Sequence, residues 1–170
     1  LFIGNSLTNE IQKYGTDGLV GILATDAGFT EFDCDREIMS GYSLAQLYTL
    51  QAVLDAIDAG GWTAVVLQEI SNGPTDPGDP TGFYEAATTF VDRILASSPN
   101  ARIILFETAA YPPTSSSYPG IYDDMADMQA QLRYHYNYAA ETYIPANAAA
   151  IPATGIEVAR VGDGFEAGYA

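Results

Sequence analysis

The stretch Leu1-Phe2-Ile3-Gly4-Asn5-Ser6-Leu7-Thr8 decides the fold: an apolar run breaks at a glycine and presents a serine. It reads as the end of a buried strand whose turn carries a nucleophile, because open α/β sheets place their ligands just beyond the carboxyl ends of strands. Gly4 lets the backbone turn sharply without a side-chain clash. Asn5 and Thr8 offer short polar groups to tie down the loop, and a following helix would aim its first free N–H groups at an oxyanion beside Ser6. That arrangement suits a hydrolase, and the same letters also suit a plain strand-to-loop turn with a capping serine.

Outward from this stretch, strand and helix patterns alternate. Asn9 to Ala27 reads as a helix, weakened by Gly15, Gly18 and Gly21 and stopped at Gly28. Phe29 to Met39 reads as a second strand, with Phe32, Cys34 and Ile38 apolar among charges. Leu44, Leu47, Leu54 and Ile57 fall at helical spacing, with Gly60-Gly61 as the stop. Thr63 to Leu67 is the β-branched, uninterrupted run expected of a parallel strand buried on both faces. A loop rich in Pro, Gly and Asp follows to Pro80, and Phe83, Ala86, Ala87, Phe90, Val91, Ile94 and Leu95 then mark a helix. Ala101 to Phe106 is another buried strand, and the loop Tyr111 to Gly120 carries three prolines and three serines. Ile121, Met125, Met128, Leu132, Tyr136 and Ala139 mark a long helix, and Ile156 to Val161 a fifth strand closed by Gly162-Asp163-Gly164. The alternation predicts one α/β domain over residues 1–170: a three-layer α/β/α sandwich on a mostly parallel five-stranded sheet, flavodoxin-like in architecture.

Composition narrows the partners. The chain has 170 residues, 48% hydrophobic, enough for one sizeable core. Six Lys and Arg against 22 Asp and Glu give a formal charge of -16, which opposes binding to nucleic acid or to an anionic membrane surface. Such an acidic balance, with Lys13 the single lysine, fits an extracellular or periplasmic setting and fits an ordinary acidic surface equally well. Cys34, the one cysteine, excludes an internal disulfide and a cysteine-rich metal site, and its strand context predicts a buried thiol. One histidine and scattered carboxylates predict no metal and no cofactor.

An enzyme on this sheet should carry its unusual polar residues just after strand ends, and it does: Ser6, Gly41, Asn72 and Thr108 each follow a predicted strand. These positions resemble the blocks of the SGNH, or GDSL-type, hydrolase superfamily. Gly4-Asn5-Ser6-Leu7-Thr8 is similar to the first block, with Asn5 where many members have aspartate. Ser40-Gly41-Tyr42-Ser43-Leu44 resembles the second, and Asn72 falls where the third has its asparagine, although Ile70 replaces the usual glycine and Gly73 the usual aspartate. Val65-Val66-Leu67-Gln68-Glu69 followed by Ser71 is similar to a bacterial branch with an L-Q-E-x-S signature. The resemblance implies the SGNH fold and a serine esterase of small acyl esters, with acetyl esters of carbohydrates as one candidate. It implies Ser6 as nucleophile, and as oxyanion hole the N–H of Ser6, the N–H of Gly41 and the side-chain amide of Asn72. Losing one such donor typically costs about 100- to 1000-fold in rate.

The resemblance also implies a base in a final Asp-x-x-His block after the fifth strand. The single histidine, His135, lies before that strand on the long helix, at the edge of its apolar stripe, where packing is the expected role. Asp163-Gly164-Phe165-Glu166 has the spacing of the block with glutamate in place of histidine, a likeness read as accidental. The expectation is a chain cut at both ends, whose catalytic Asp and His lie beyond Ala170. Two other readings stand beside the esterase. One is a non-catalytic flavodoxin-like domain cradling a phosphate-bearing ligand at the Gly4–Thr8 loop; the other is a degenerate hydrolase that binds sugar without cleaving it.

Overall fold

The computed structural model describes residues 1–11, 18–29 and 33–169; Lys13, Gly15 and Phe32 lie outside the described residues. Five strands form one sheet: β1 (Phe2–Gly4), β2 (Arg36–Ile38), β3 (Ala64–Leu67), β4 (Arg102–Phe106) and β5 (Ile156–Ala159). Their order is β2-β1-β3-β4-β5, and every pairing is parallel. The register sets Phe2 opposite both Arg36 and Val66, and runs from Ala64 opposite Arg102 to Leu67 opposite Leu105. Ile3, Val65, Leu67, Ile103 and Leu105 are fully buried, as the uninterrupted apolar runs predict for strands covered on both faces.

Between and after the strands lie α1 (Ser6–Ile11), α2 (Gly18–Asp26), α3 (Leu44–Leu47), α4 (Gln51–Ala59), α5 (Pro80–Ser97), α6 (Met125–Tyr138), α7 (Ile144–Asn147) and α8 (Val161–Tyr169). The step from β1 to β2 runs against the direction of the other three crossovers. Right-handed connections therefore put α1 and α2 on the face opposite α3, α4 and α5, which gives the three layers. In α5, Asp79 caps the helix by accepting from Gly82 N at 2.9 Å, and Pro80 occupies a first-turn position that needs no N–H. Its face of Phe83, Ala87, Phe90, Val91 and Ile94 is buried against the sheet, each large side chain stabilising the fold by about 1.5–3 kcal/mol.

Several boundaries differ from the sequence reading. The first helix begins at Ser6 rather than Asn9, because Asn5 caps it: Asn5 Oδ1 accepts from Leu7 N at 3.3 Å. The second strand is confined to Arg36–Ile38, so Cys34 lies outside it and is half-buried rather than buried. The helix over 44–57 is broken at 48–50, where Thr49 N and Leu50 N donate to the carbonyls of Gln46 and Leu47, three residues back. α6 does not stop at Tyr138 but widens into one π-helical stretch, Ala139–Tyr143, before Pro145 enters α7. A proline inside a continuous helical run loses a hydrogen bond and crowds the preceding turn, and the wider turn admits it. The fifth strand ends at Ala159, and the expected closing turn at Gly162-Asp163-Gly164 is instead the start of α8.

Candidate active site

At the carboxyl end of β1 the backbone enters α1 directly, so Ser6 is the first helical residue, and it is exposed. Gly4 is required here for space rather than for its torsion angles. A Cβ on it would stand 2.9 Å from Gln68 Oε1 and closer still to Thr8 Oγ1. That close approach lets one oxygen, Gln68 Oε1, accept from Asn5 N at 3.1 Å, Thr8 N at 3.3 Å and Thr8 Oγ1 at 2.8 Å. Gln68, Asn5 and Thr8 are all buried. Three buried donors thus share one acceptor, and the residues on either side of Ser6 are fixed by it.

Asn5 ties the neighbouring strands to the same point. Its Nδ2 donates to the carbonyl of Tyr42 at 3.3 Å, in the loop after β2, and to that of Glu69 at 3.2 Å, after β3. An aspartate has no hydrogen to offer either carbonyl at neutral pH, so the asparagine at this position has a structural reason in this chain. The Tyr42 loop begins with a tight turn in which Tyr42 N donates to Met39 O at 3.2 Å. Gly41 takes φ +78° there, the left-handed region that a type II turn demands at its third residue. Its N–H sits in an exposed turn with open space around the Cα.

Glu69 joins the loop after β3 to the start of α3. Its two carboxylate oxygens accept from Ile70 N at 2.7 Å and Leu44 N at 3.1 Å. Burial pushes this carboxyl up from its ordinary value, the two N–H donors pull it back, and Asp79 adds to the rise. Asn72 is half-buried in the following turn. The turn is pinned on both sides: Thr108 Oγ1 donates to Ser71 O at 2.9 Å, and Thr75 Oγ1 to Asn72 O at 2.7 Å. Ser6, Gly41 and Asn72 therefore follow three adjacent strands along one edge of the sheet. The chain leaves β1 toward β2 on one side and then crosses back past β1 to β3 on the other, which makes β1 the switch point where such sheets open a crevice.

Beside the next strand pair lies a second polar cluster. Glu107, buried at the end of β4, accepts from Gln129 Nε2 at 2.8 Å through Oε1, and Gln129 Oε1 accepts from Ala110 N at 2.7 Å. Its other oxygen, Oε2, is buried with no hydrogen-bond partner among the described residues. Burial raises this carboxyl; Arg133, Arg160 and Gln129 oppose the rise, and Asp163 adds to it. Gly162 packs onto this pair, since a Cβ there would collide with the Gln129 amide and come 2.7 Å from Glu107 Oε1.

His135 and Glu166 are engaged elsewhere. His135 is buried on α6, its Nε2 2.8 Å from Asp76 Oδ1 and its Nδ1 in a short hydrogen bond with the Tyr84 hydroxyl. A carboxylate only accepts, so Nε2 carries a proton toward Asp76. Burial, with Tyr134, Tyr138 and Asp76 nearby, pushes that phenol up to about 12. Glu166 Oε2 accepts from Arg133 Nη2 at 2.8 Å, and Asp163 binds the same nitrogen, so the Asp-x-x-Glu pair is one ion-pair cluster around an arginine. Among the described residues no group of three or more His, Cys, Asp and Glu is placed to hold a metal, and no helix is long and apolar enough to cross a membrane.

The sequence reading named Ser6, Gly41 and Asn72 as site residues and gave no structural role to the Gln68 amide or the Glu69 carboxylate. Gln68 and Glu69 gave the available signal: two polar residues directly after an apolar strand, with zero and 3% exposure in the fold.

Neither a family profile nor a curated protein matches this sequence. Solved structures do. A protein from Slackia heliotrinireducens proposed to be an SGNH hydrolase superposes with TM-score 0.71 at 21% identity, over 98% of this chain and 80% of its own. A protein from Streptococcus pneumonia proposed to be a platelet activating factor gives TM-score 0.57 at 17% identity, over 95% of this chain and 65% of its own. TesA gives 0.55 at 16%, over 93% of this chain and 88% of its own. With the parallel five-stranded sheet and the helical layers on its two faces, this chain has the SGNH-hydrolase fold.

Proposed function

We propose that this chain is a serine hydrolase of SGNH type that cleaves small acyl esters. Ser6 is the nucleophile; the N–H groups of Ser6 and Gly41 and the side-chain amide of Asn72 receive the negative charge of the tetrahedral intermediate. The observation that carries the reading is the Asn5 side chain, which joins the loops after β2 and β3 to the turn bearing Ser6. A serine in an ordinary turn has no need of such an assembly, whereas an oxyanion hole built from three loops does.

Neither His135 nor Glu166 is assigned as the base. Supporting this, both ring nitrogens of His135 are taken by Asp76 and Tyr84, and Glu166 is paired with Arg133. A carbohydrate acetyl ester remains one substrate within the class, with no role for nucleic acid, metal or cofactor in the chemistry.

The test is reaction with a fluorophosphonate probe and hydrolysis of p-nitrophenyl acetate. The protein should be labelled at Ser6 and turn over, Asn72→Ala should lose about 100- to 1000-fold in rate, and Ser6→Ala should lose both reactions. Hydrolysis that survives Ser6→Ala would overturn the nucleophile. A fall in turnover of orders of magnitude in His135→Gln or Glu166→Gln would restore that residue as the base.

A further inference from the structure

The turn that carries Asn72 is held from a distant part of the chain. Thr75 Oγ1 donates its one hydrogen to the Asn72 carbonyl at 2.7 Å, and the same oxygen lies 2.9 Å from the Tyr122 hydroxyl. With the threonine hydrogen committed, the tyrosine is the donor in the second bond. The two hydroxyls therefore form a directed chain, from Tyr122 to Thr75 to the Asn72 carbonyl, across 47 residues of sequence. Thr75 is fully buried and Tyr122 nearly so.

Packing alone does not call for these hydroxyls. Valine at 75 and phenylalanine at 122 would fill nearly the same volumes without a polar group to satisfy, and burying a hydroxyl costs free energy unless it is paired. What the chain does accomplish is directional. Thr108 Oγ1 holds the Ser71 carbonyl, in the peptide unit before Asn72, and Thr75 Oγ1 holds the Asn72 carbonyl, in the unit after it. With both flanking units held, the direction of the Cα–Cβ bond of Asn72 is fixed. The Asn72 side chain makes no hydrogen bond of its own among the described residues, so its aim depends on that backbone. Tyr122 in turn is seated in a small apolar cluster with Ala110, Met128 and Leu132, apart from the main core, and Tyr118 packs edge-on against it with ring centroids 6.3 Å apart. The loop after β4 thus sets the position of a residue that follows β3.

We propose that Thr75 and Tyr122 are positioning residues for the Asn72 side-chain amide, Thr75 acting on the Asn72 carbonyl directly and Tyr122 by orienting the Thr75 hydroxyl. The consequence for rate rests on the reading of Asn72 as an oxyanion donor; the hydroxyl chain itself does not.

Kinetics on p-nitrophenyl acetate and NMR relaxation test this together. Thr75→Val should lower kcat about 10- to 100-fold with KM within about twofold, since a displaced donor is missed in the transition state and not in the bound substrate. Thr75→Ser, which keeps the hydroxyl, should recover most of the rate, and Tyr122→Phe should cost about 3- to 10-fold. In an Asn72→Ala background neither Thr75→Val nor Tyr122→Phe should lower the rate by more than about a further twofold, whereas a merely structural role would lower it in both backgrounds. Losses that add in full to that of Asn72→Ala would overturn the proposal, as would a costly Asn72→Ala beside a Thr75→Val that turns over normally. Independently of turnover, 15N relaxation should show the Asn72 side-chain amide more mobile in Thr75→Val and in Tyr122→Phe than in the parent protein or Thr75→Ser; unchanged mobility would overturn the positioning role. If Asn72 loosens in both variants while Asn72→Ala leaves turnover unaffected, the positioning stands and the oxyanion role of Asn72 falls.

Discussion

The two halves of the sheet's carboxyl edge handle buried polarity differently. Around β1 and β3, every side-chain polar atom of Asn5, Gln68 and Glu69 has a partner, most of them backbone groups from other segments. Around β4 and α6, Glu107 Oε2 and Arg133 Nε are buried without one. The first half fixes the geometry in which Ser6 is presented. The second leaves one oxygen of a buried carboxylate without a hydrogen bond, so its stability depends on protonation. A buried polar network stabilises a fold when every member is satisfied and costs free energy when it is not.

The sharpest way to break this contrast is Gln68→Leu. It removes the acceptor shared by Asn5 N, Thr8 N and Thr8 Oγ1, and three unsatisfied buried donors should cost about 3–5 kcal/mol, measured by urea denaturation. A loss under about 1 kcal/mol would mean that water takes the place of the amide and that the first half is not interlocked.

A smaller effect of opposite sign is expected at Glu107. Burial raises its folded-state value, so the folded protein holds that proton more tightly than the unfolded chain does. The associated stability is full below the ordinary carboxylate value and is lost as pH rises through the raised one. Glu69, shifted in the same direction by burial, adds to the trend. The melting temperature should therefore be lower at pH 8 than at pH 5. Glu107→Gln should raise stability at pH 8 by about 1–2 kcal/mol and flatten the profile. An unchanged profile in that variant would remove the contrast between the halves.

The smallest effect should come from His135→Gln, away from the edge. Loss of the Tyr84 and Asp76 contacts should cost about 1 kcal/mol, and the rate of fluorophosphonate labelling at Ser6 should not change. A large fall in labelling would tie the histidine to the nucleophile.

The five strands and the layering were legible because apolar runs such as Thr63 to Leu67 and the helical spacing of Phe83 to Leu95 are strong local signals. Ser6, Gly41 and Asn72 were legible as polar breaks after those runs. The start of α1 at Ser6 was not, because the Asn5 cap competes with the reading of Gly4-Asn5-Ser6 as an open turn. α8 was hidden by Gly162, Gly164 and Gly168, which lower helix propensity. It forms because Asp163 and Glu166, three residues apart on one face, both bind Arg133, and because Gly162 alone lets the helix approach Gln129. The part played by Gln68 was not readable locally at all, since its partners lie 60 and 63 residues away.

The Asn5 side chain has a further consequence for how the molecule forms. Its amide reaches a carbonyl 37 residues away and another 64 residues away, so neither bond exists until β1, the loop after β2 and the end of β3 have come together. Contacts of such sequence separation form slowly, after local helices have had time to appear. A collapsed intermediate can thus have its helices, even α5 in full, and still lack the geometry around Ser6. The surroundings of Ser6 would then be among the last features to mature, and any labelling of Ser6 during refolding would follow completion of the sheet rather than gain of helix.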